Sequence, residues 1–105
     1  MTTTTYAGAT VAVNDEGFFE DPTAWTPEMA IEMASADGIE TLTEPHWTVL
    51  NFMRKEYFEK GTGPTVRVLG KTSGVSVKDL YLLFPKGPAK TAARIAGIAK
   101  PKGCI

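Results

Sequence analysis

The apolar positions fall into short β-like runs before residue 20 and into three- and four-residue spacings after residue 26. Thr10-Val11-Ala12-Val13, the turn-forming Asn14-Asp15-Glu16-Gly17 and Phe18-Phe19-Glu20 predict a β-hairpin, ended by Asp21-Pro22. Thr26-Pro27 then starts a helix: Thr26 caps, Pro27 takes the first helical position and Glu28 suits the positive end of the dipole. Met29, Ile31, Met33 and Ala34 give it an apolar side, and Gly38 ends it. Thr43 caps a longer helix over 44–60, on which Trp47, Leu50, Met53, Arg54, Tyr57 and Phe58 mark the buried stripe. A short helix is predicted over 66–72, broken by Gly74. Ser76 with Asp79 opens another that runs to Phe84 and stops at Pro85. Gly87-Pro88 opens a last helix over 89–96, closed by Gly97.

The predicted architecture is mainly α. It is a small helical bundle with an N-terminal β-hairpin, a helix-turn-helix-like pair over 66–84 and a flexible C-terminal arm. One domain is expected over 10–97, with a disordered lead over 1–9 and a mobile arm over 98–105. A length of 105 residues, 43% of them apolar, suits one domain with one hydrophobic core. No apolar run approaches the roughly 20 residues a spanning helix needs, and no signal peptide is visible. The expected location is the cytoplasm, without a membrane partner.

The net charge of −1 conceals an uneven distribution. All eleven basic residues lie in 54–105, while nine of the twelve acids lie in 1–53. Two explanations stand side by side. The basic half offers an oriented partner surface or anion site, or the two halves pack together and neutralise each other.

Cys104 is the only cysteine. It lies in Lys100-Pro101-Lys102-Gly103-Cys104-Ile105, a basic stretch without the length for an element of its own. Free cysteine kept for packing behaves as a small core residue, whereas chain ends are poorly ordered. A thiol placed here is placed for reach, unless it is an incidental surface residue. One cysteine excludes an internal disulfide and a zinc site of paired cysteines. His46, the only histidine, sits in the first turn of the 44–60 helix, where capping or packing outweighs catalysis. No catalytic triad and no phosphate loop occur, so the chain lacks a self-contained active site. No cofactor and no metal are expected. Arg67, Lys71 and Lys78 are placed to meet phosphates if the pair over 66–84 binds nucleic acid. Val77, Leu80, Leu82, Leu83 and Phe84 instead favour core packing for its second helix.

Leu83-Phe84-Pro85-Lys86-Gly87-Pro88-Ala89-Lys90, then Arg94-Ile95-Ala96-Gly97 and the Lys100–Ile105 tail, resemble the TusE/DsrC family of sulfur-carrier proteins. Glu44-Pro45-His46-Trp47 and Asp15-Glu16-Gly17-Phe18 carry the resemblance back to about residue 10. It implies that Cys104 accepts sulfane sulfur as a persulfide and passes it on. It also implies a sulfur-donor complex (TusBCD-type or DsrEFH-like) and an acceptor enzyme, in tRNA 2-thiouridine synthesis or related sulfur metabolism. The chain would act as a sulfurtransferase-type carrier. The DsrC branch has a second cysteine eleven residues upstream; here that position is Ala93, so the chain sides with the single-cysteine, TusE-like branch. Ala99 stands where the family often has proline. Gly97 is the expected hinge, Lys100-Pro101 stiffens the distal arm, and Gly103 leaves little bulk around sulfur. Lys86, Lys90, Arg94 and Lys102 are expected to dock a partner. Two other functions remain in view: a nucleic-acid-binding regulator built on the 66–84 pair, and a thiol redox adaptor for a sulfite- or heterodisulfide-reductase-type partner.

Overall fold

The computed structural model describes residues 2–99. Its first strand, β1 (Thr2–Tyr6), pairs antiparallel with β2 (Ala9–Val13), Thr2 opposite Val13 and Tyr6 opposite Ala9. Threonine and tyrosine suit a pleated, half-exposed surface. Ala7 and Gly8 form the two-residue turn with φ of 51° and 80°, the left-handed backbone that matches hairpin twist. A non-glycine residue is uncommon there, and the Ala7 N–H donates to Glu32 Oε2 at 2.6 Å, which ties the turn to the first helix.

The hairpin therefore lies earlier than the pattern predicts, and part of the lead expected to be disordered supplies its first strand. The expected turn at 14–17 does form. Asn14 Oδ1 accepts from the N–H groups of Glu16 and Phe18 at 2.9 and 3.0 Å. The return strand, however, shrinks to one bridge between Val13 and Phe19. Pro22 lacks the N–H a ladder needs, and Pro22–Ala24 winds into a 3-10 turn capped by Asp21. The Thr23 hydroxyl and N–H hold the Asp21 carboxyl below its ordinary range.

Five helices follow: α1 (Pro27–Ala36), α2 (Glu44–Lys60), α3 (Val66–Thr72), α4 (Val77–Leu83) and α5 (Pro88–Ile95). On α1 the buried stripe is Met29, Ala30, Met33 and Ala34. Ile31 lies off that stripe and is half exposed, contrary to expectation. On α2 the stripe is His46, Val49, Leu50 and Met53, while Phe58 faces solvent. The apolar composition of α4 also misleads. Seven residues make only two turns, so one position, Leu80, faces the core, followed by Phe84 just beyond the helix. Val77, Tyr81 and Leu82 are exposed, Leu82 by 70%. Gly70 lets α3 and α4 close on each other, since a Cβ there would overlap Val77.

The centre of the fold is α5, which packs against α1, α2, α3 and α4. Its Ala89, Ala92 and Ala93, with Ala96 at its end, are fully buried. Small side chains let four helices approach one axis, and Phe18, Phe84, Leu50, Met53 and Leu69 fill the space between them. The helix that reads as a basic docking element in the sequence is thus the core helix, with its cations at the edge of the packed face.

Candidate functional site: the root of the C-terminal arm

An α-helix leaves its last four carbonyls without intrahelical partners. At the end of α5 each finds a donor. The left-handed Gly97, φ 69°, turns the chain so that the Gly97 N–H donates to the Arg94 carbonyl and the Ile98 N–H to the Ala93 carbonyl, both at 3.1 Å. This is a Schellman cap. Trp25 Nε1 donates to the Ile95 carbonyl at 2.8 Å. Arg54 Nη1 donates to the Ala96 carbonyl, also at 2.8 Å.

Arg54 does more than cap. Its Nη2 donates to the Pro22 carbonyl at 3.0 Å, so the guanidinium joins the 3-10 turn to the end of α5. The cation lies 4.2 Å from the Trp25 ring centroid and 5.1 Å from that of Phe58, within cation–π range. Partial burial pushes the guanidinium down from its ordinary value, and the two carbonyls and two ring faces answer the half-buried charge. Trp25 also presses on Gly97, where any Cβ would overlap the indole. Ile98, the next residue, is fully buried. The chain is therefore held through Ile98, and Gly97 is a tightly packed cap where a hinge was expected.

Cys104, Lys100, Pro101, Lys102 and Gly103 lie outside the described residues. The other docking candidates are dispersed by the fold. Lys86 is exposed in the turn before α5. Lys90 faces Glu16 at 3.5 Å, with both side chains nearly half exposed. Arg94 bonds Asp37 at the end of α1 and is mostly covered. Both pairs join the acidic half of the chain to the basic half, so part of the charge asymmetry is internal neutralisation. Ala93 is fully buried.

His46 has the capping and packing role. Its Nδ1 accepts from the Thr43 N–H at 3.0 Å, its Nε2 lies 3.0 Å from the Leu83 carbonyl, and its ring meets Phe84 edge-on. A shallow groove of about 290 Å³ opens nearby between Pro45, Val75, Leu82 and Leu83. Arg67, Lys71 and Lys78 are exposed on α3 and α4. Among the described residues no group of three or more His, Cys, Asp or Glu is placed to hold a metal ion, and no helix is long and apolar enough to cross a membrane.

The Arg54–Trp25 clamp escapes a motif search. Its signal in the sequence is an arginine within the apolar stripe of α2; a cation on a packed face must find partners, but its spacing does not name them.

A family model described as DsrC like protein matches residues 5–105. The chain belongs to this family. Among its relatives is the sulfurtransferase TusE of Pectobacterium atrosepticum, 44% identical over 108 residues, covering 95% of this chain and 97% of the relative. The gamma subunit of the dissimilatory-type sulfite reductase of Nitratidesulfovibrio vulgaris is 35% identical over the full length of both chains. In the solution structure of DsrC from Allochromatium vinosum the fold recurs with a TM-score of 0.81 at 43% identity, over 98% of this chain and 97% of that one. The crystal structure titled dissimilatory sulfite reductase I (DsrI) matches with a TM-score of 0.87 at 34% identity, over 99% of this chain and all of that one. The five helices and the N-terminal hairpin are the DsrC-like fold.

Proposed function

We propose that this protein is a sulfur carrier of a sulfur relay, and that Cys104 is the residue that carries the sulfur. The observation that carries this reading is the position of the chain's only cysteine, just past a firmly capped helix end, in a family whose relatives include sulfurtransferases. The chain leaves α5 through a cap that Trp25 and Arg54 hold. The Cys104 thiolate attacks the outer sulfur of a donor persulfide. A bond forms between Sγ and that sulfur, the donor's S–S bond breaks, and the donor sulfur leaves as a thiolate with the electron pair. No external oxidant or reductant is needed, and delivery to the acceptor repeats the exchange with the roles reversed.

Ala93 supports the TusE-like branch, because an arm with one cysteine has no internal partner for a disulfide. The reading extends to a cytoplasmic relay toward tRNA 2-thiouridine, with a TusBCD-type donor complex and a separate acceptor enzyme. The exposed face of α4 presents Tyr81 and Leu82, which suits protein contact better than a row of phosphates.

Incubation with a persulfide donor, followed by intact-mass measurement, is expected to add one sulfur atom to the wild-type chain and none to Cys104→Ser. Absence of the adduct on the wild-type chain, or its persistence in the serine variant, overturns the assignment. A mixed disulfide with a reductase partner in place of the persulfide favours the redox adaptor.

A further inference from the structure

We infer that the face formed by α3 and α4 docks an acidic, amphipathic helical segment of a partner protein. The surface is defined by shape, exposure and charge and does not depend on the chemistry at Cys104. Among the described residues the exposed large apolar side chains are Ile31, Phe58, Val77, Tyr81 and Leu82, and the last three all stand on α4. A concentrated apolar patch with a polar rim marks a contact surface, whereas a single scattered side chain does not. Leu82 also lines the groove of about 290 Å³, together with Pro45, Gly74, Val75, Asp79 and Leu83. The walls of that groove are tied in place. His46, the residue after Pro45, reaches the Leu83 carbonyl with Nε2 at 3.0 Å and so holds the start of α2 against the end of α4. On the other side, Ser73 Oγ accepts from the Val75 N–H at 3.2 Å. A preformed groove takes an apolar anchor without having to order itself first.

The rim sets the sign of the occupant. Arg67 and Lys71, four residues apart, share one exposed face of α3. Lys78 stands one turn before Leu82 on α4, and Lys86 is exposed just beyond that helix. None of the four makes an ion pair among the described residues, unlike Lys60, Lys90 and Arg94. The nearby acids are Asp79 and Glu44, each in the first turn of its helix, where the dipole favours a carboxylate. The rim is therefore net positive. A helix with leucine-type anchors on one face and Asp or Glu at its flanks meets both the patch and the cations. A nucleic acid meets only the cations. The helix it would contact carries Val77, Tyr81 and Leu82, and the Asp79 carboxylate repels phosphate.

The test uses the isotope-labelled full-length chain and follows its amide resonances. The probe is a capped synthetic peptide of about 16 residues, long enough to form helix, with leucines at three- and four-residue spacing and glutamates elsewhere. Its control carries lysines in place of the glutamates. The glutamate peptide is expected to shift the amides of residues 74–86 and to leave those of α1 in place. The lysine peptide is expected to bind about tenfold more weakly. Leu82→Ser removes the anchor without changing charge and is expected to weaken binding of the glutamate peptide about tenfold. Lys78→Gln is expected to weaken it about threefold at low salt, a difference that disappears at about 0.5 M salt. Both side chains are exposed, so both variants are expected to keep the fold, which the amide spectrum of α1 and α2 checks.

Equal binding of the two peptides, shifts confined to residues outside 74–86, or no binding of the glutamate peptide overturns the inference. A short duplex DNA that binds this face and keeps its affinity in Leu82→Ser also overturns it. So does a wild-type dimer that Leu82→Ser dissociates, because the face then belongs to a second copy of the chain. Loading of Cys104 by glutathione persulfide is expected to keep its rate within about twofold in Leu82→Ser, since a small donor needs no docking face. If the wild-type chain does not load, the carrier reading fails, while the peptide titration still decides the docking face.

Discussion

His46 shows how one side chain can serve two elements. Its ring closes the start of α2 through the Thr43 N–H and reaches the Leu83 carbonyl at the end of α4. With Nδ1 accepting, Nε2 carries the proton and donates to Leu83. His46→Ala removes the cap and leaves a carbonyl without its donor beside the core. The expected loss is about 2–3 kcal/mol, measured by urea unfolding. His46→Asn keeps a capping group but is too short for Leu83, and is expected to recover about 1 kcal/mol of that loss. The sequence shows the capping half of this role, because Thr43 and His46 are neighbours in the chain. The second half depends on a carbonyl 37 residues away, which no local pattern names. Arg54 follows the same rule: its place on the apolar stripe is visible, but its partners at residues 22, 25 and 96 are not.

Among the elements, α4 separates composition from placement. Its apolar residues read as a core helix, yet the packed structure exposes three of them. Leu80→Ala is expected to cost about 2–5 kcal/mol, the range for a buried leucine. Leu82→Asp is expected to change stability by no more than about 0.5 kcal/mol. Equal and large losses for both would mean that α4 is buried on two sides. Helix boundaries were legible because capping and breaking residues are local: Thr26-Pro27, Thr43, Gly61, Ser76 and Gly87-Pro88 all mark ends that the structure respects. The hairpin was misplaced because Ala7-Gly8 is a weak turn signal beside Asn14-Asp15-Glu16-Gly17. What favours the earlier turn is the Glu32 contact from α1, a tertiary feature.

At the scale of the molecule, the separated charges meet across α5. The Arg94–Asp37 bond is largely covered, whereas Lys90 and Glu16 are nearly half exposed. A double-mutant cycle on Arg94 and Asp37, read by thermal or urea unfolding, is expected to give a coupling of about 1–3 kcal/mol that changes little with salt. The Lys90–Glu16 cycle is expected to give less than about 1 kcal/mol and to fade as salt rises. Equal couplings would place the two pairs in one environment, against the burial described here.

By itself, the sequence determined the helices, their ends, the single cysteine and the family resemblance. These are properties of neighbouring residues and of spacing along one chain. The tertiary structure alone decided that the helix carrying Lys90 and Arg94 is the core, that the first strand begins at Thr2, and that the arm is held through Ile98 by Arg54 and Trp25. The physical reason is common to all three. Buried carbonyls and charges must find partners, and those partners come from residues distant in sequence that only packing brings together.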